Sequence, residues 1–236
     1  LAHSSKENLF TKHKRQSILK KAFVCLNLPD VYDSLIMSKQ KTIIIVSLSI
    51  LLVVVYFIAF RGKRYAPGIV VKTVPQQLPL AKPQTWRKGR YRINALAEFN
   101  LQARVLSTER YYMDRGADIA PVDFALGWGI MSDQSVLDSM TISQSNRWYH
   151  WHSYNLMISP EEVAAFSSNM HIIPANDWTD TLVKRVGKGD IIELRGYLVE
   201  ITADDGFVWR SSLSREDTGD GACELFWVEE ILQRAF

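Results

Sequence analysis

TIIIVSLSILLVVVYFIAF, residues 42–60, divides this chain in two. The run carries no charge, and outside Tyr56 its only hydroxyls are Thr42, Ser47 and Ser49. At 1.5 Å rise per residue it makes a helix of roughly 28 Å, about the thickness of a bilayer core. Lys39 and Lys41 stand before it, and Arg61, Lys63 and Arg64 follow. A helix buried in a soluble domain is seldom apolar on every face and bracketed by bare charge. The stretch therefore reads as a single transmembrane helix.

Upstream lies a basic tail, residues 1–41, with eight Lys/Arg against three Asp/Glu. Met37 directly precedes SKQK and the apolar run. Translation from Met37 would give a short basic tail and then the apolar segment, the layout of a signal anchor, and residues 1–36 would not be native. The other reading is a cytoplasmic tail. No A-x-A-like cleavage signal follows the span, which points to a retained anchor. A short basic tail before a first span commonly stays inside while the rest is exported, whereas Arg61, Lys63, Arg64 and Lys72 oppose export under the positive-inside rule. The expectation is an exported body. Cys25 and Cys223 fall on opposite sides of the span and cannot pair within one chain, so no disulfide framework is indicated.

The net charge of +3 hides a division. Residues 91–236 hold 12 basic and 22 acidic side chains, a balance of −10. An acidic body without a basic stripe does not suit nucleic acid, and the basic flank of the span suits anionic lipid heads. Residues 61–90 form a basic, Pro-containing stalk; Pro67, Pro75, Pro79 and Pro83 disfavour helix there. A partly extended spacer and a strand-like arm along the body both fit. From Tyr91 onward the chain is long enough for one core, a single globular domain over 91–236.

Within the body, Phe99, Leu101, Ala103 and Val105 alternate with Asn100, Gln102 and Arg104, a half-buried strand over 98–105. Residues 132–140 suit a short helix capped by Ser132, and 147–154 is aromatic and strand-like. SPEE at 159–162 supplies a capping box with Pro at the first helical position, starting a helix that runs to about Ser168. Asn176 or Asp177 starts another, running to Val186. Residues 190–201 and 207–213, joined by ADDG, are the clearest hairpin, and a last strand spans 222–228. Gly196 inside a strand allows a bend or a close approach. The mixture is α+β: a curved antiparallel sheet or small β-barrel with short helices, SH3-like, OB-like or novel.

Long segments of the body, RGADIAPVDFALGWGIMSD at 115–133, ISQSNRWYHW at 142–151, SSNMHIIPAND at 167–177 and WRSSLSREDTGDGACELFWVE at 209–229, carry a likeness. Over residues 91–230 the chain resembles a family of uncharacterised bacterial single-pass membrane proteins. The resemblance implies a bacterial inner-membrane protein, with the C-terminal domain periplasmic if exported, and implies no catalytic role.

Several constellations have chemical potential. His150 and His152, two apart, share one face of a strand, and with His171 they form the candidate metal set for zinc or copper, Cys223 or Asp217 supplying a fourth ligand. Aromatic packing beside exposed histidines is the plainer account, and no H-E-x-x-H or paired-cysteine spacing is present. Asp217 and Glu224 are the candidate acid/base carboxylates. Trp128, Arg147 and Trp148 are the candidate ligand groove, aromatic faces with a guanidinium suiting a sugar, a peptide or another protein. Arg210 lies in a charged cluster with Glu224 and joins the candidate ligand-binding set. No G-x-S-x-G and no phosphate loop occurs. The expectation is a noncatalytic, membrane-anchored binding or assembly domain of the envelope, without a cofactor, with lipid around its anchor and a protein or glycan partner. The alternative is a membrane-anchored, metal-dependent hydrolase of envelope material.

Overall fold

The computed structural model describes residues 29–60, 62–155, 157–214 and 223–234. The chain separates into two compact units, residues 1–61 and 62–236. Within the first, α1 runs Pro29–Phe60 and includes the whole apolar run. The segment Ser38–Val55 is long and apolar enough to cross a membrane, and none of it is buried by protein. Ile and Val are indifferent helix formers in water. A lone spanning segment in hydrocarbon can satisfy its backbone only as a helix. Its polar side chains are absorbed in the same way: Thr42 Oγ1 donates to Ser38 O at 2.9 Å and Ser49 Oγ to Ile45 O at 2.9 Å.

The second unit is built on one strand of 20 residues, β3 (Tyr91–Arg110). The alternation over 98–105 is present, with Phe99, Leu101, Ala103 and Val105 buried. Before β3 come β1 (Gln76–Leu78) and β2 (Thr85–Lys88), both antiparallel to it. After it come β4 (Val122–Gly127), β5 (Met140–Ser145), β6 (Trp148–Ser153), β7 (Ser167–Pro174), β8 (Ile191–Ala203), β9 (Val208–Arg210) and β10 (Glu224–Arg234). Short helices intervene: α2 (Gln134–Asp138), α3 (Pro160–Phe166) and α4 (Asp177–Val183), with 3₁₀ turns at Arg115–Asp118 and Gly129–Ser132.

The sheet order is β1-β3-β4-β7-β10-β8-β9, with β2 and β8 also pairing with β3. Followed through β3, β4, β7, β10 and β8, the hydrogen bonds return to β3, because its first half pairs with β8 and its second half with β4. Register shifts at Ala95/Ala97 and Val105/Ser107 give β3 the curvature that this requires. The sheet is curved as expected and mixed: β7 and β10 run parallel among otherwise antiparallel pairs. A parallel pair needs a crossover, here α4 and the β8–β9 hairpin. The sheet is thus curved and mixed, with a single parallel seam between β7 and β10 and α4 placed between β7 and β8.

Phe99, Phe124, Met170, Leu194 and Phe226 form the interior, with Phe99 and Phe226 edge to face at 5.2 Å. Tyr91, Ile93, Ile173, Ile201 and Trp227 form a second cluster. A third, Leu106, Ala125, Met131, Val136 and Val163, seats the separate β5–β6 hairpin through Ile142, Tyr149 and Trp151. Gly196 permits a close approach: a Cβ there would stand 1.9 Å from Trp227 O, beside the bulge in β10.

Residues 62–75 lie along the body as an arm. Lys63 N donates to Lys188 O, Tyr65 N to Gln134 Oε1, Gly68 N to Asp133 Oδ1 and Val71 N to Ser132 Oγ, each at 3.0 Å, while Val71 O receives Gly129 N at 2.8 Å. Val71 is fully buried. The arm is thus the alternative that the structure adopts, and the compact unit starts at Gly62, upstream of the expected boundary at Tyr91. Gly189 makes room for it; a Cβ there would meet Lys63 O at 2.1 Å.

Candidate functional site

The β5–β6 hairpin turns on Asn146 and Arg147, both with positive φ, 52° and 69°. Two successive left-handed residues are the requirement of a two-residue type I′ hairpin, where glycine is favoured second. Arginine bears the steric cost there because of what its side chain reaches. Nη1 donates to Asp123 Oδ1 at 2.8 Å and to Ala120 O at 2.9 Å, and Nη2 to Asp114 Oδ1 at 2.9 Å. The guanidinium lies 3.6 Å from the Tyr111 ring centroid. Asp123 is fully buried, and His171 Nδ1 stands 2.8 Å from its Oδ1, off the line of a hydrogen bond. Burial pushes the Asp114 carboxyl up, but Arg147 and the amides of Ala117 and Gly116 outweigh it and hold the group below its ordinary value. Arg147, expected among ligand-binding groups, spends its guanidinium on the protein and fixes the hairpin.

Trp148 follows directly. With Trp128, Tyr149, Ser168, Asn169 and Glu224 it lines a pocket of about 150 Å³. The position follows from the sheet: β10 begins opposite Met170, so Ser167, Ser168 and Asn169 of β7 extend past its start. Glu224 is buried and accepts a short hydrogen bond from Ser168 Oγ. Gln144 Nε2 donates to Asn169 Oδ1 at 2.6 Å, and Asn169 Nδ2 to Arg147 O at 3.1 Å, which ties the pocket to the turn. Ser167 Oγ donates to Val163 O at 2.6 Å, so at 3.1 Å it accepts from Tyr149 OH. Burial pushes the Tyr149 hydroxyl up to about 12, Ser167 working against it, and the phenol stays a neutral donor. Burial, with the Glu224 charge behind it, raises the Cys223 thiol to about 11, so this pocket-lining sulfur is a poor nucleophile.

The structure thus brings Trp128, Trp148 and Glu224 together and sets Arg147 behind them. Arg210 lies elsewhere on β9, paired with Glu200 at 2.6 Å. Asp217 lies outside the described residues. His150 and His152 share the exposed face of β6 as their spacing predicts, while His171 is buried beside Asp123. Among the described residues no three His, Cys, Asp or Glu side chains gather to hold a metal ion, so the histidine set for zinc or copper is not assembled. Ser167, Ser168 and Asn169 were missed by residue reading, having no periodic signal apart from the strand that carries them.

A wider trough of about 430 Å³ runs between the arm and the sheet past Thr73, Gln102, Glu193 and Arg195. Its charges neutralise one another, Arg195 meeting Glu193 at 2.6 Å, and among the described residues no aromatic ring lines it. The smaller pocket has the chemistry of a site: aromatic side chains share its lining with hydroxyl, carboxamide and carboxylate groups. No family model, curated protein or solved structure matches the chain.

Proposed function

We propose that this chain is a noncatalytic binding or assembly protein of the bacterial envelope, held in the inner membrane by α1, with its body on the periplasmic side. The ligand, a protein or glycan of the envelope, enters the pocket between β6, β7 and β10. The observation that carries the reading is the pocket itself, lined by Trp128, Trp148 and Tyr149 together with Ser168, Asn169 and Glu224. Aromatic faces supply area with little loss of rotamer freedom, and the polar wall fixes orientation.

The test places a photoreactive amino acid at position 148 of the full chain in living cells. A discrete adduct that disappears with Glu224→Ala while the variant is expressed at the wild-type level supports the reading. No adduct, or turnover of envelope material by the purified full chain, overturns it. C-terminal fusions to a reporter active only after export and to one active only in the cytoplasm check the orientation; cytoplasmic activity refutes a periplasmic body.

A further inference from the structure

The pocket does not end at Trp148. On the β5–β6 hairpin the outward residues pair across the strands as Ser145 with Trp148, Ser143 with His150, and Thr141 with His152. All six are exposed or half-exposed, while Met140, Gln144 and the rings of Tyr149 and Trp151 turn inward. The outward face is therefore three rows, each setting a ring beside a hydroxyl. The rows follow one another at roughly 6.6 Å, two residues of strand rise. Ser145 Oγ stands 3.3 Å from His150 Nε2, and Thr141 Oγ1 stands 2.9 Å from Tyr154 OH, whose ring meets His152 edge to face at 5.2 Å. Trp148, 39% exposed, belongs to both the pocket and the first row.

We infer that this face and the pocket form one continuous binding track for an uncharged oligosaccharide, its end group in the pocket and its following sugars over His150 and His152. The inference rests on the proposed binding role of the pocket. Three properties choose the occupant. The six outward side chains include no Asp, Glu, Lys or Arg, so along the hairpin face, beyond Glu224 in the pocket, no fixed charge favours an ionic ligand or repels a neutral one. Ring faces suit the apolar face of a sugar, and the adjacent hydroxyls donate and accept with its equatorial groups. The track also lies on the face of the ribbon, where only side chains reach out. An added peptide strand would take the ribbon's edge and its backbone hydrogen bonds instead.

The experiment uses the full chain in a detergent without sugar headgroups, titrated with chito- and cello-oligosaccharides of one, three and five units and followed by calorimetry. Affinity is expected to rise about tenfold from one unit to five in one of the series. His150→Ala and His152→Ala, both surface changes, should abolish that rise and leave the single sugar's binding unchanged. Trp148→Ala should weaken every length. No binding at any length, or length dependence indifferent to His150 and His152, overturns the track. If the adduct at position 148 persists while no oligosaccharide binds, the pocket still binds a ligand and the glycan assignment alone fails. Absence of both removes the underlying reading as well, and an adduct to a protein chain identifies a protein as the occupant in place of the glycan.

Discussion

Arg147 shows how one residue can pay a local cost for a distant gain. Its left-handed backbone costs a non-glycine residue about 1 kcal/mol. Its side chain joins a fully buried carboxylate, and leaving such a charge unpaired costs about 3 kcal/mol or more. Arg147→Gly is therefore expected to lower stability by about 2 kcal/mol net, measured by denaturant unfolding, although glycine is the better turn residue. The pair with Asp114 adds a pH signature. Because the folded state depresses the Asp114 pKa, its contribution is fully present above about pH 4 and is lost as the pH falls through the lower folded value. Melting temperatures of wild type and Asp114→Asn should differ most near pH 6 and converge as the pH falls through the lowered Asp114 value; a constant gap would contradict the assignment. In the sequence Arg147 was legible as an aromatic neighbour and illegible as a turn residue. Nothing local marks arginine for positive φ, and Asp114 and Asp123 lie 33 and 24 positions away.

Among the elements, those specified by their own ends were the readable ones. The α3 capping box is present, with Glu162 N donating to Ser159 Oγ at 3.2 Å and Ser159 N to Glu162 Oε2 at 2.8 Å. Asn176 caps α4 through Thr179 N at 2.9 Å. The β8–β9 hairpin also falls where its turn residues place it. The cap of α2 is Asp133 in place of Ser132, whose hydroxyl serves Gly129 O and Val71. Strands buried on both faces were hidden: Val122–Gly127 is buried throughout and has no alternation to detect. The length of β3 was likewise hidden, since its two halves answer to different partners. Gly196 is where such long-range pairing meets a single atom. Gly196→Ala is expected to cost about 3 kcal/mol, because the methyl group would collide with the Trp227 carbonyl across the bulge. Unchanged thermal unfolding of that variant would mean that β8 and β10 are not packed as described.

At the scale of the molecule, the apolar run announced its own role through length and composition, and the division of charge announced a separate acidic body. The course of residues 62–75 was not legible. Prolines there signal only the absence of helix, and the groups that hold the arm, from Ser132 to Lys188, are scattered along the chain. That arrangement has a mechanical meaning. Any pull arriving through the anchor enters the body at Gly62 and loads the attachments of Lys63, Tyr65, Gly68 and Val71 in succession, as a strip is peeled. The cyclic strand pairing behind them shares its load among many bonds at once. Stretched between α1 and its C-terminus, the chain should first yield at low force and lengthen by at most about 45 Å, the contour of the freed arm, while the ring stays shut. The arm is thus a fuse: a pull on α1 would spend itself on fourteen residues before it reached the pocket between β6, β7 and β10.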